Sequence, residues 1–166
     1  MGFEQPDNEL VRLQELLLCK IDNDTPDKYF QDFASLALSV ANTASTAIVF
    51  FADAQTWVKG EAGYKFLIDN RQDLLSGLLF ENEDVIQIAD TLKHDGLKSS
   101  MLLGDKPIIR FIGKIPIMSK NNIVLGAIYV LDDKPRLLTD TQMSSLSALS
   151  RIIESHLEFR KINGMQ

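Results

Sequence analysis

The sequence predicts an α/β domain of the α+β kind, built on a central antiparallel sheet. Three observations carry this. First, Ile108 to Arg136 reads IIRFIGKIPIMSKNNIVLGAIYVLDDKPR. Two β-branched and aromatic runs, Ile108 to Met118 and Ile123 to Leu131, flank the polar link Ser119-Lys120-Asn121-Asn122, a hairpin pattern. Neither run has a polar face, so the hairpin belongs inside a sheet with cover on both sides. Second, TAIVFFAD at Thr46 to Asp53 is another strand apolar on both faces. Third, helical periodicity brackets these strands, from Glu9 to Ile21, from Pro26 to Ala41, and from Thr139 to about Lys161.

The elements follow in order. In the first helix Leu10, Leu13, Leu17 and Ile21 recur at three- and four-residue steps, with Glu9, Arg12, Gln14 and Glu15 around them. Val11, Leu16 and Leu18 widen this stripe beyond one packing face, which suggests a second contact such as another subunit. Cys19 reads as a small buried hydrophobe. Asp22 to Pro26 is a break, with Thr25 as cap, Pro26 at the first helical position and Asp27 complementing the helix dipole. The second helix turns Phe30, Phe33, Ala37 and Val40 inward.

After Thr46 to Asp53, Trp57 lies in a second strand ended by Gly60 and Gly63. Tyr64 to Ile68 reads as a short strand, Gln72 to Phe80 as a short helix, and Val85 to Ile88 as a strand closing at Asp90. Thr91 to Pro107 is irregular, either a binding loop or a surface crossover. Pro116 marks a bulge or a strand leaving the ladder. Gly113, Gly126 and Ala127 leave space above the sheet, for close packing or for a small molecule. Thr139 and Gln142 form a capping box, and Met143, Leu146, Leu149, Ile153 and Leu157 stripe the last helix.

Length and composition narrow the classes. The 166 residues suit one domain, 1–166 with a core of about 10–160, and contain no internal repeat or linker. A formal net charge of −6 and the lack of a basic run argue against nucleic-acid binding. No apolar run approaches the about 20 residues of a membrane span, and MGFEQPDNEL is not a signal peptide. The single cysteine excludes an internal disulfide and a cysteine metal cluster. These features point to the cytoplasm.

The ordered set of motifs resembles a GAF domain, over nearly all of the chain from about Leu10 to Arg160. The set comprises the break at Asp24 to Asp27, Gln55-Thr56-Trp57-Val58-Lys59, Arg71, and Asp90 after the strand VIQI. It continues with Ile109-Arg110-Phe111, Pro116, Leu125 to Asp132, and Pro135-Arg136-Leu137-Leu138 with Gln142. The chain looks like the compact bacterial GAF proteins that stand alone or precede output domains such as diguanylate cyclases. The resemblance implies a six-stranded antiparallel sheet with helices on one face, and loops and short helices enclosing a pocket on the other. Family members bind cyclic nucleotides, tetrapyrroles, haem and other effectors, and some bind nothing, so the fold does not select a function.

Departures from the family pattern remove some options. Where many relatives carry a Phe-Cys-x-His-like segment, this chain has Leu75-Ser76-Gly77-Leu78. A covalently attached bilin is not expected, because the only thiol lies in the first helix. The cysteine relay of GAF-type free methionine sulfoxide reductases cannot be assembled from one cysteine. The N-K-x-F-x-D-E set of cyclic-nucleotide GAF domains is not evident.

Other chemistry is thin. His156 reads as a surface or interface residue. His94 with Asp95 lacks a second histidine or cysteine at metal-ligand spacing. There is no G-x-S-x-G, P-loop or H-E-x-x-H motif, so no catalytic residue, metal or cofactor is assigned.

Two functions remain open. One is a signalling sensor that binds a small molecule non-covalently and passes the signal through terminal helices to a protein partner. The other is a dimerisation or interaction module whose pocket is filled by Leu75, Leu78 and Leu79. For the sensor, the expected ligand contacts are Phe51, Trp57, Asp90, Arg110, Phe111 and Tyr129, between the sheet and the segments Leu74 to Phe80 and Thr91 to Pro107. Arg110 either pairs an anionic ligand or pairs Asp90 and locks the loop to the hairpin. A homodimer is expected through the helices at Leu10 to Leu17 and Leu146 to Leu157. If the 166 residues are the whole protein, any signal must pass by contact with a partner.

Overall fold

Alternating side chains of the central strands build two separate cores, one on each face of a single antiparallel sheet. The computed structural model describes residues 9–23, 25–52, 55–64, 84–94 and 109–164. The elements are α1 (Glu9–Leu18), α2 (Lys28–Ala41), β1 (Ser45–Ala52), β2 (Gln55–Gly63), β3 (Ile86–Ile88), β4 (Phe111–Met118), β5 (Val124–Asp132) and α3 (Asp140–Gly164), with a 3-10 turn at Thr91–Lys93. Strand order is β2-β1-β5-β4-β3. The two-sided apolar strands β1 and β5 are therefore both interior. Among the described residues the sheet has five strands rather than the six expected. The strand expected at 64–68 and the helix at 72–80 lie outside the described residues, apart from Tyr64.

On the first face, Ile48, Phe50, Ile128, Val130, Phe111 and Ile115 meet Phe30 and Ala34 of α2 and Leu146 and Ile153 of α3. Burying one such side chain stabilises the fold by about 1.5–3 kcal/mol. On the second face, Val49, Phe51, Ile109, Ile112, Ala127, Tyr129 and Leu131 pack with Ile88. All three described helices contribute to the first core. On the second face the 3-10 turn supplies Leu92.

The hairpin forms as expected. The Ser119 N–H donates to Ile123 O (2.7 Å), and the Ser119 hydroxyl oxygen accepts from the Asn121 and Ile123 N–H groups. Asn122 takes the left-handed conformation that such a loop requires. Just past Pro116 the register shifts: Ile117 faces Gly126, and Met118 faces Val124. The extra residue, Leu125, joins the helix-side core. Pro116 thus sits beside a bulge. α3 serves this end of β4, since the Ser150 hydroxyl donates to Pro116 O (2.6 Å) and Glu154 Oε1 accepts from the Met118 N–H (2.9 Å). The hairpin glycines serve close packing. A Cβ on Gly126 would run into the Val49 carbonyl and the Phe50 ring, and one on Gly113 would lie 2.6 Å from Val130 Cγ2.

The helix ends are fixed by side-chain caps at α2 and α3 and by backbone bonds at α1. Asp27, not Thr25, caps α2, its carboxylate accepting from the Tyr29 N–H (2.9 Å). Thr139 and Gln142 form the reciprocal box at α3, with bonds of 2.9 and 3.1 Å. α1 ends with Lys20 left-handed and the Ile21 N–H donating to Leu16 O (2.9 Å), a Schellman closure.

The α1 stripe differs from expectation. Leu16, Cys19 and Ile21 are buried, whereas Leu10 and Leu17 are 70% and 60% exposed. The helix is apolar around much of its girth, so polar partners decide its rotation. Arg12 and Glu15 turn inward: Arg12 bonds Glu9 and the Phe51 carbonyl, and Glu15 pairs with Lys161 (3.0 Å). Leu146, Leu149, Ile153 and Leu157 of α3 are consumed by the chain's own core.

Candidate functional site

The six expected ligand contacts divide between the faces. β1 alternation sends Phe51 to the second face, where β5 also places Tyr129, and both are fully buried. Phe111 lies in the helix-side core, and Trp57, opposite Phe50 in the β1–β2 register, packs against that same core. Neither can share a site with Tyr129, because the sheet lies between them.

Asp90 and Arg110 meet where β3 ends and β4 begins. Arg110 donates to Asp90 through Nε (3.1 Å) and Nη2 (3.0 Å), a planar two-bond pairing. Asp90 also accepts from the Leu92 N–H (3.1 Å) and so caps the 3-10 turn. The hydrogen bond from Arg110 holds the Asp90 carboxyl below its ordinary value and, reciprocally, raises Arg110. Backbone bonds frame the pair, with the Thr91 N–H on Arg110 O and the Arg110 N–H on Asp132 O, both 2.8 Å. Arg110 therefore locks the turn to the hairpin, the structural alternative that the sequence left open.

Lys114 was not singled out from the sequence. It faces Tyr129 on β5 and Ile86 on β3, and it is 1% exposed. A buried ammonium is costly unless paired, and Lys114 and Tyr129 both take part in interactions within the chain. Burial also raises the Tyr129 phenol well above its ordinary value, keeping it protonated as a donor. The available signal was a lysine at the midpoint of an apolar strand. The second face thus combines an aromatic and aliphatic surface with a phenol, a buried lysine and a fixed ion pair at its end.

An open cleft of about 670 Å³ lies beside β3, lined by Gln87, Asp90, Lys93, His94, Pro135 and Arg136 among others. Of the six expected contacts only Asp90 reaches it. Arg136 is already engaged: it donates to Asp132 (2.9 Å), to Asn42 O (2.8 Å) and to Ala41 O (3.3 Å). Together with Gln142, whose amide donates to Val40 O and Ala41 O, it satisfies the C-terminal carbonyls of α2. The Pro-Arg motif is thus a helix clamp here, and the second face remains the better candidate site. Among the described residues no group of three His, Cys, Asp or Glu could hold a metal ion, and no helix is long and apolar enough to cross a membrane.

His156 is not a free surface residue. It sits between α2 and α3, with ring centroids 4.9 Å from Tyr29, 5.6 Å from Phe33 and 5.7 Å from Phe30. Cys19 lies in the helix-side core, and burial pushes its thiol up to about 11.

No protein-family model matches the chain. It is 20% identical over 132 residues to a cyclic di-GMP phosphodiesterase of Pseudomonas aeruginosa, covering 79% of this chain and 22% of that protein. The chain thus spans about a fifth of that curated relative's length. Among solved structures, the GAF domain of a phosphoenolpyruvate-protein phosphotransferase from Coxiella burnetii matches with a TM-score of 0.66 at 14% identity, over 96% of this chain and 98% of that one. A domain of a two-component sensor histidine kinase protein from Sinorhizobium meliloti matches with a TM-score of 0.63 at 12% identity, over 83% and 94%. A type II free methionine-R-sulfoxide reductase from Thermoplasma acidophilum matches with 0.64 at 13% identity, over 84% and 94%. The chain has the GAF fold.

Proposed function

We propose that this chain is a non-catalytic sensor domain that holds a small molecule non-covalently on the second face of its sheet. The observation that carries this reading is the grouping of Tyr129, Lys114 and the Asp90–Arg110 pair on or beside an otherwise apolar face. Binding pockets are mostly apolar with a few placed polar groups. Phe51 and Tyr129 supply the wall, and Arg110 couples the site to the 3-10 turn. Signal leaves through the terminal helices to a cytoplasmic protein partner.

Catalysis by the route of the sulfoxide reductase fold-mate is not proposed. The one cysteine belongs to the core on the opposite side of the sheet, with its thiol proton held tightly. No covalent chromophore is proposed for the same reason.

A thermal-shift screen of metabolites tests the sensor. A ligand at 100 times its dissociation constant adds about 2.7 kcal/mol of stability. Tyr129→Phe keeps the ring and should weaken that shift, and Arg110→Ala should weaken it while leaving the apo protein folded. The reading fails if no metabolite stabilises the wild type.

A second reading, a dimerisation module, is favoured by a specific observation. Leu10, Leu17 and Leu18 of α1 and Ile152, Phe159 and Ile162 of α3 are each at least half exposed. A homodimer through α1 and α3 would use these residues rather than the buried Leu146, Leu149, Ile153 and Leu157. Light scattering at micromolar concentration tests it, and a monomer mass would remove it.

A further inference from the structure

His156 stands at the seam between α2 and the last turns of α3. Three aromatic rings surround it, and its Nε2 is buried with no hydrogen-bond partner among the described residues. One turn further along α3, Arg160 lies 5.3 Å over the same Phe30 ring. Arg160 is the main tie between α3 and the α1–α2 elbow. It donates to Cys19 O (2.7 Å), Lys20 O (2.9 Å) and the Asp27 carboxylate (3.0 Å). The charged groups acting on His156 are therefore Arg160 on its own helix and Asp27 at the start of α2, while the phenol ring of Tyr29 packs on it.

We propose that His156 is a proton-operated latch: neutral, it seats α3 against α2, and protonated, it releases the last turns of α3 together with the elbow that Arg160 holds. Protonation would place a second cation against the Phe30 ring that Arg160 already covers. It would also give the buried Nε2 a proton with no acceptor, which is costly. Burial first, and repulsion from Arg160 second, lower the imidazole from its ordinary value, and the attraction of Asp27 does not cancel them. Asp27 does not titrate in the same range. Burial pushes its carboxyl up, but the hydrogen bonds from Arg160 and the Tyr29 N–H outweigh burial and hold it below its ordinary value.

The sign follows from proton linkage. The released imidazole binds protons more readily than the seated one, so seating is strongest above about pH 6.5 and weakens as pH falls below it. Each unit by which the seated value lies below the free one appears as up to a tenfold rise in the opening constant at low pH. The latch needs no ligand, so it stands apart from the sensor reading.

Hydrogen exchange on the full chain at pH 7.5 and pH 5.5, corrected for the intrinsic rate, tests the latch. In the wild type, amides in 157–164 and 19–27 should lose protection severalfold on acidification. His156→Phe keeps a ring in the cage and should show no such loss. Equal loss in wild type and His156→Phe, or no loss in the wild type, overturns the proposal. Should His156→Phe fail to fold, the imidazole titration followed by NMR in a His94→Gln background decides. A His156 midpoint below that of free imidazole supports the latch, and one at or above it overturns it.

Discussion

The two faces of the sheet are made by the same strands, yet they are finished differently. On the helix side, the strand residues share one core with all three described helices, and arginines tie the helix ends. Arg136 closes the C-terminus of α2, and Arg160 joins α3 to the α1–α2 elbow. On the second face, the apolar residues share their space with Lys114 and the Tyr129 hydroxyl, and the Asp90–Arg110 pair stands where β3 ends and β4 begins. The lesson is that β alternation lets one strand build the helix-side core with one set of side chains and a separate core with the other. Phe50 and Phe51 are adjacent in sequence and belong to different halves of this division.

The largest expected effects come from those neighbours. Phe50→Ala and Phe51→Ala should each lose about 3–5 kcal/mol in urea unfolding, since both are fully buried. A loss at Phe50 with none at Phe51 would break the comparison, because the second face would then not be a packed surface. Next comes Gly126→Ala, where a Cβ meets the Val49 carbonyl and the Phe50 ring. Overpacking of this kind should cost about 1–3 kcal/mol, and an unchanged denaturation midpoint would mean that β1 and β5 can part.

Two arginines then sharpen the contrast. Arg160→Ala should lose about 1–3 kcal/mol, because it strips donors from the carbonyls of Cys19 and Lys20 and leaves Asp27 without its partner. Exchange at amides of the elbow should quicken with it. Arg110→Ala should be the mildest, with the thermal midpoint moving little, since the Asp90 pair is partly open to solvent. Its effect should fall on the 3-10 turn at Thr91–Lys93, read by local exchange. If Arg110→Ala unfolds the protein and Arg160→Ala does not, the division of labour between the faces is reversed.

Much of this was legible in the chain. The five described strands, the hairpin loop, the capping box at Thr139 and the interior position of β1 follow from local patterns: apolar runs, a polar link, and a threonine with a glutamine three residues on. These depend on neighbours in sequence, so sequence alone determines them. Alternation likewise separated Arg110 from Phe111, although the expected site still held both, together with Trp57.

Tertiary structure decided the rest. Whether Leu10 or Arg12 of α1 turns inward depends on the Phe51 carbonyl and Glu9 standing ready for the guanidinium. Whether Asp90 or a ligand takes the Arg110 fork depends on where β3 ends against β4. His156 acquires its ring cage only when α2 crosses α3. An apolar stripe specifies that a surface will be buried but leaves the choice of partner open, because the hydrophobic effect has no direction. Hydrogen bonds and ion pairs do have direction, and their partners here lie up to 146 residues apart along the chain.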